Sequence, residues 1–307
     1  MYRSNLKRVL SIGVCLGCVL FGVMTFAQEQ KTKMILTGVQ KDTIVTLAEV
    51  KGCYILSGEY VVPEGCELKI KEGVKLVANK KSRIVIQGSI DIQGTKENPV
   101  VIRASGSGFG AWDGIKLMQC SGEMSHAHIS GAKEAIFCQH SNLRVWNSTF
   151  YRNELVSRTH EGYNVQFENC YFADNKCVFN AHGCKLELDH CSIVRTKEAV
   201  MPGSWGGKTI CRDCVIEKNR LGFRGASPIE MHGCVIQDNG KFDIENGSSS
   251  PADCTGNWWG KQSTEALKKS GGAKQPKVIG NVVNLSDFLL EMPEGCGAQD
   301  YPKGTLK

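Results

Sequence analysis

Proline is scarce, with 8 residues in 307, and no charge of either sign dominates. No stretch beyond the N-terminus runs for eighteen uninterrupted apolar residues, which excludes a polytopic membrane protein. The 34 glycines follow no three-residue period, so a collagen-like chain is excluded. Many glycines beside few prolines predict a chain that turns often. The formal charge is +6, from 37 basic and 31 acidic residues. Arg3, Lys7 and Arg8 lie in a segment expected to be removed, and without them the excess falls to three. That is too weak a bias for a nucleic-acid partner. The Gly-Gly-x-Gly-x-Asp calcium repeat is missing as well. What is present, 41% hydrophobic and 22% charged residues, is enough to bury a core.

The N-terminus has the order of an export signal. Met1 to Arg8 is short and basic, and Val9 to Phe26 is almost wholly apolar and uncharged. Thr25-Phe26-Ala27 then offers small residues at the positions a signal peptidase reads, with polar Gln28-Glu29-Gln30 beyond. We therefore expect a signal peptide over 1–27 and a mature protein that is exported to the periplasm, the cell surface or the medium. No membrane span is expected after cleavage, the alternative being an uncleaved anchor. Cys15 and Cys18 fall inside the signal, leaving thirteen of the fifteen cysteines.

Those cysteines fall on a repeat. Met124–Ile129, Val145–Phe150, Phe167–Phe172, Leu188–Ile193, Cys211–Ile216 and Met231–Ile236 align at steps of 21, 22, 21, 23 and 20 residues. A fixed period of this size predicts a solenoid in which each repeat stacks on its neighbours. Inside each repeat the period is two: Val165 and Phe167 alternate with polar residues, as do Leu186 and Leu188. These are half-buried strands. The parity then slips, because Cys170 and Phe172 continue the apolar face on even numbers. The bend residues are His126, Asn147, Asn169, His190, Asp213 and Gly233, types that tolerate a left-handed backbone. Cys170, Cys191, Cys214 and Cys234 form an inward column after it. A second corner carries Asn153, Asn175, Thr196, Asn219 and Asn239, whose asparagines can bond from coil to coil.

A third strand follows, with Phe137, Ser157, Phe179, Met201, Phe223 and Ile244 expected inward. Three short parallel strands per turn define an all-β, single-stranded parallel β-helix of about ten coils, right-handed by the rule for parallel crossovers. The expected organisation is a cap over 28–59, the β-helix over 60–285 and a C-terminal tail over 286–307. The Lys-rich stretch after Gly260 is expected to cover the C-terminal end.

Gly88–Thr95 followed by Asn98-Pro-Val-Val-Ile102, then Trp112-Asp-Gly-Ile115, the repeated Asn-x-x-Phe/Ile pattern and Asn257-Trp-Trp-Gly260 together carry a resemblance. Over about residues 60–290 the chain resembles secreted bacterial right-handed β-helix proteins of the pectate-lyase-like superfamily. The resemblance implies fold, and it implies a structural role for Trp-Trp-Gly in closing the last coil. Of the polygalacturonase-like site motifs, only Ala181-His182-Gly183 echoes one. The acidic pair on the strand where pectate lyases hold calcium is Asp243 and Glu245. No catalytic residue carries over.

The candidate ligand face is the outer side of the third strand. His140, His160 and His182 align there at steps of 20 and 22, beside Arg158, Asn180, Arg224 and Glu245. Imidazole titrates near neutrality and a guanidinium can hold a carboxylate bidentately. Val156, Val178 and Val200 are expected as an exposed apolar column beside them. The cysteine column is read as buried thiols behaving as small hydrophobes, with no metal site and no cofactor. The sequence thus points to a glycan-binding or scaffold module whose partner is a polysaccharide or cell-surface glycan. The alternative is a lyase or glycosidase acting on acidic polysaccharide.

Overall fold

The structure is a computed structural model that describes residues 32–299, other than 162, 202, 203, 227 and 273–276. The expected signal peptide lies outside these residues. The chain winds into an all-β parallel solenoid of about ten turns. Strand pairs throughout the described residues are parallel, and three sheets run the length of the coil. The first sheet stacks Ser121–Ser125, Asn142–Trp146, Asn164–Glu168 and the later half of Cys177–Asp189. The second stacks Ala127–Ser130, Thr149–Tyr151, Tyr171–Ala173, Ser192–Val194 and Val215–Glu217. The third stacks Glu134–Gln139, Leu155–His160 and the early half of Cys177–Asp189.

The repeat aligned by sequence is the register of the first sheet: Met124, Val145, Phe167, Leu188, Cys211 and Met231 stand rung on rung. Every bend residue between the first and second sheets has positive φ, from 46° at His126 to 67° at Gly233. That turn aims the next N–H along the coil axis, where no strand carbonyl meets it. The following coil supplies an acceptor instead. Ala127 N–H donates to Ser148 Oγ (3.0 Å), Cys191 N–H to Cys214 Sγ (3.4 Å), Cys214 N–H to Cys234 Sγ (3.4 Å) and Cys234 N–H to Asn257 Oδ1 (2.8 Å). Serine, cysteine and asparagine can share this column because each is small and brings an acceptor. Cys170, Cys191, Cys214 and Cys234 are all fully buried, and the thirteen described cysteines are unpaired.

At the second corner the left-handed residue comes one position earlier than the asparagine, at Arg152, Asp174, Arg195, Lys218 and Asp238. The asparagines turn inward and form the expected ladder. Asn153 Nδ2 donates to Asn175 Oδ1 (3.2 Å) and Asn219 Nδ2 to Asn239 Oδ1 (3.0 Å). Thr196 interrupts it, and its buried Oγ1 has no partner among the described residues.

Two expectations about the third strand are corrected. The residue in register with Ser157 is Ile136, and Phe137 stands outward beside Arg158. Val156, Val178 and Val200 are fully buried, not exposed. Both errors have one cause: the strand bends on entry, so Val156 and Ser157 point inward in succession and simple alternation fails there. Inside, Phe150, Phe167, Phe172 and Phe179 pack with ring centroids 5.2–5.9 Å apart.

The segment 28–59 contributes Thr32–Val39, which pairs in parallel with Gly52–Val62, and Ile44–Leu47, which pairs with Glu67–Lys71. At the other end Trp258 bridges to Val235, and Trp259 precedes the helix Gly260–Lys269, whose Thr264 and Leu267 are buried. Residues 296–299 then run back along the corner between the first and second sheets, crossing coil after coil.

Candidate functional site

The third sheet brings most of the candidate face together. Arg158 pairs in register with Asn180, His160 with His182, and Arg224 with Glu245. His140 is the exception. Gln139, not His140, is in register with His160, and His140 occupies the next corner with φ 46°. Its Nε2 lies 3.1 Å from Glu161 Oε2. The slip has the same origin as that of Phe137, since both were placed one residue too late in their coil.

The cations of this face are already neutralised. Arg158 meets Glu134 at 3.0 Å, and Arg224 meets Glu245 at 2.6 Å while lying over the Phe242 ring at 5.5 Å. The other acid of the pair noted on this strand, Asp243, is buried and accepts from Asn239 Nδ2 at 2.8 Å. Burial, then His160 and Arg158 nearby, push the His182 pKa down, so it takes a proton only below the usual histidine range. A face of closed ion pairs with a neutral imidazole attracts anions less than its composition suggests.

The outer face of the first sheet carries a feature that the sequence reading passed over. Trp146 points outward, partly exposed, in the row Ser125, Trp146, Glu168, Asp189. The parity that buries Leu143 and Val145 turns Arg144 and Trp146 to solvent. The Arg144 guanidinium lies over the indole at 5.2 Å and reaches Glu168 at 3.4 Å. On the opposite neighbouring rung Ser125 is small and buried, its Oγ donating to Ile92 O. In the adjoining row Glu123, Arg144, Gln166 and Glu187 stand in register. Gln166 donates to Glu187 at 2.8 Å, and Lys185 lies 2.8 Å from Glu187. The Lys185 contact, with help from Gln166, holds Glu187 below the usual carboxylate range against the effect of burial. The signal was legible: a tryptophan at the outward parity of an aligned repeat, two residues after an arginine.

Where the first sheet turns, Asp189, His190 and Asp213 bring ligand atoms within 4.8 Å of one another. Asp189 Oδ1 already bonds His190 Nδ1 at 2.5 Å.

Three parallel sheets with a stacked asparagine corner define the class as a parallel β-helix. Residues 38–134 match the family model described as pectate-lyase like beta helix domain. The coils after residue 134 continue the same three sheets in register. No curated protein matches the sequence.

Proposed function

We propose that this β-helix is a non-catalytic glycan-binding module and that extended polysaccharide lies on the outer face of its first sheet. The observation that carries the reading is Trp146. An outward, partly exposed indole braced by Arg144 offers a flat apolar surface to the C–H face of a sugar ring. The neighbouring Gln166–Glu187 and Arg144–Glu168 pairs hold donors and acceptors in place for hydroxyls. The paired charges of the third-sheet face make it the weaker candidate. Export of the chain, inferred from residues 1–27, is part of this reading, and the native protein should begin near Gln28 by mass spectrometry.

The test is affinity electrophoresis of the mature protein through neutral and uronic-acid polysaccharides, repeated with Trp146→Ala. At least a tenfold loss of affinity is expected, with Arg158→Ala plus Arg224→Ala close to wild type. Unchanged binding by Trp146→Ala would remove the first-sheet face from consideration. Absorbance from unsaturated products on uronic-acid polymers would replace this reading with the lyase one.

A further inference from the structure

The C-terminal segment does more than close the solenoid. Four consecutive residues tie it to four successive coils. Cys296 Sγ donates to Gly233 O (3.0 Å), Gly297 N–H to Asp213 O (2.7 Å), Ala298 N–H to Ser192 Oγ (2.8 Å) and Gln299 N–H to Asn169 Oδ1 (2.6 Å). The approach at Gly297 admits no side chain. Its φ is 79°, and a Cβ there would lie 2.6 Å from Ser192 Oγ and 2.7 Å from a Val215 methyl. The strap is therefore fixed hard against the corner between the first and second sheets.

Away from that corner it stands off the outer face of the second sheet. A cavity of about 640 Å³ remains between strap and sheet. Its volume falls in the range of ordinary small-molecule sites. Tyr171 and Val215 are partly exposed on the sheet side, while Met292 and Pro293 line it from the strap. The far wall is the second corner, where the left-handed residues Arg195 and Lys218 project.

We propose that this cavity binds a neutral saccharide of one or two rings, at a site separate from the Trp146 face. Apolar groups on the sheet and on the strap suit the two faces of a ring. The wall is polar but balanced. Arg195 is held by Asp174 through bonds of 2.9–3.3 Å, and Lys218 lies 2.9 Å from Glu217, which also accepts from Gln237. Donors and acceptors fixed in such pairs are oriented for hydroxyl groups, whereas Glu217 and Glu294 offset the cations and leave no net attraction for a uronate.

Met292 is a reporter inside the site. In the mature protein labelled with ¹³C-methyl methionine, its resonance is assigned by comparison with Met292→Leu. Titration with methyl β-glucopyranoside, cellobiose, maltose and lactose at millimolar concentration should shift that resonance saturably for at least one sugar. Galacturonate should leave it in place. Val215→Trp, which puts an indole into the cavity, should abolish the shift, and Trp146→Ala should not alter it, which separates this site from the first-sheet face. The proposal is overturned if no neutral sugar of the set moves the Met292 signal, if galacturonate moves it more, or if the shift survives in Val215→Trp.

Discussion

A thiol at the first corner does two things at once: it fills a core slot and accepts a hydrogen bond from the coil before. Burial pushes the Cys191, Cys214 and Cys234 thiols well above their ordinary range. In the unfolded chain the same groups ionise near pH 8.5. A thiol whose pKa rises on folding gives its full stabilisation below the unfolded value, and that stabilisation is lost as pH climbs past it. Urea midpoints should thus be level between about pH 7 and 8 and fall above about 8.5. Each of these thiols adds about 1.4 kcal/mol per pH unit to the slope. Iodoacetamide should leave all three unmodified until the chain unfolds, and rapid native labelling would contradict the register. Ser157 is the opposite case, a buried hydroxyl with no partner among the described residues, in a column otherwise filled by Ile136 and Phe179. Ser157→Ala should raise stability by about 1 kcal/mol in urea titration, since it removes an unsatisfied group and little volume.

At the scale of an element, the asparagine ladder shows what a corner requires and how much of it can be read in advance. Its period, its residues and its coil-to-coil bonding were legible because a column with one function keeps one side-chain type. The left-handed position one residue earlier was not, because Arg152, Arg195 and Lys218 are ordinary surface residues whose side chains say nothing of φ. The first corner was legible for the reverse reason: its own residues adopt the left-handed conformation, so His126, Asn147, Asn169 and His190 betray it. The third strand defeated alternation at Val156 and Ser157, and with it the placement of Phe137 and His140, because a bend inside a strand leaves no mark in a two-residue pattern. Trp146 was legible by parity, but it stands on the first sheet, away from the aligned histidines of the third. The ladder also makes its own prediction. Thr196→Asn should complete the stack, donating to the Phe172 carbonyl as Asn175 does to that of Phe150, and should gain about 1 kcal/mol. Asn219→Ala should lose about 3 kcal/mol, because Thr196 N–H and Ile193 O would both be left buried without a partner.

For the whole molecule, nearest-neighbour stacking means that an end is held only by what covers it. The helix Gly260–Lys269 buries Leu267 in the core at the C-terminal end. The strap adds a constraint of another kind, since it runs along the stack and ties the coils at Asn169, Ser192, Asp213 and Gly233 without pairing as a strand. Coils joined in this way cannot open one at a time without breaking a strap contact. A chain ending at Glu291 loses the four bonds and exposes Val215 and Val235. Its coils between about Asn169 and Asn257 should open locally at a free energy about 3–5 kcal/mol lower. Hydrogen exchange should therefore speed up by about two to four orders of magnitude there. The coils over 52–104, which the strap does not touch, should exchange as in the full chain. Mass spectrometry of peptic fragments reads both regions in one experiment. Faster exchange spread evenly over the solenoid, or none anywhere, would mean that the strap rests on the coils without binding them together.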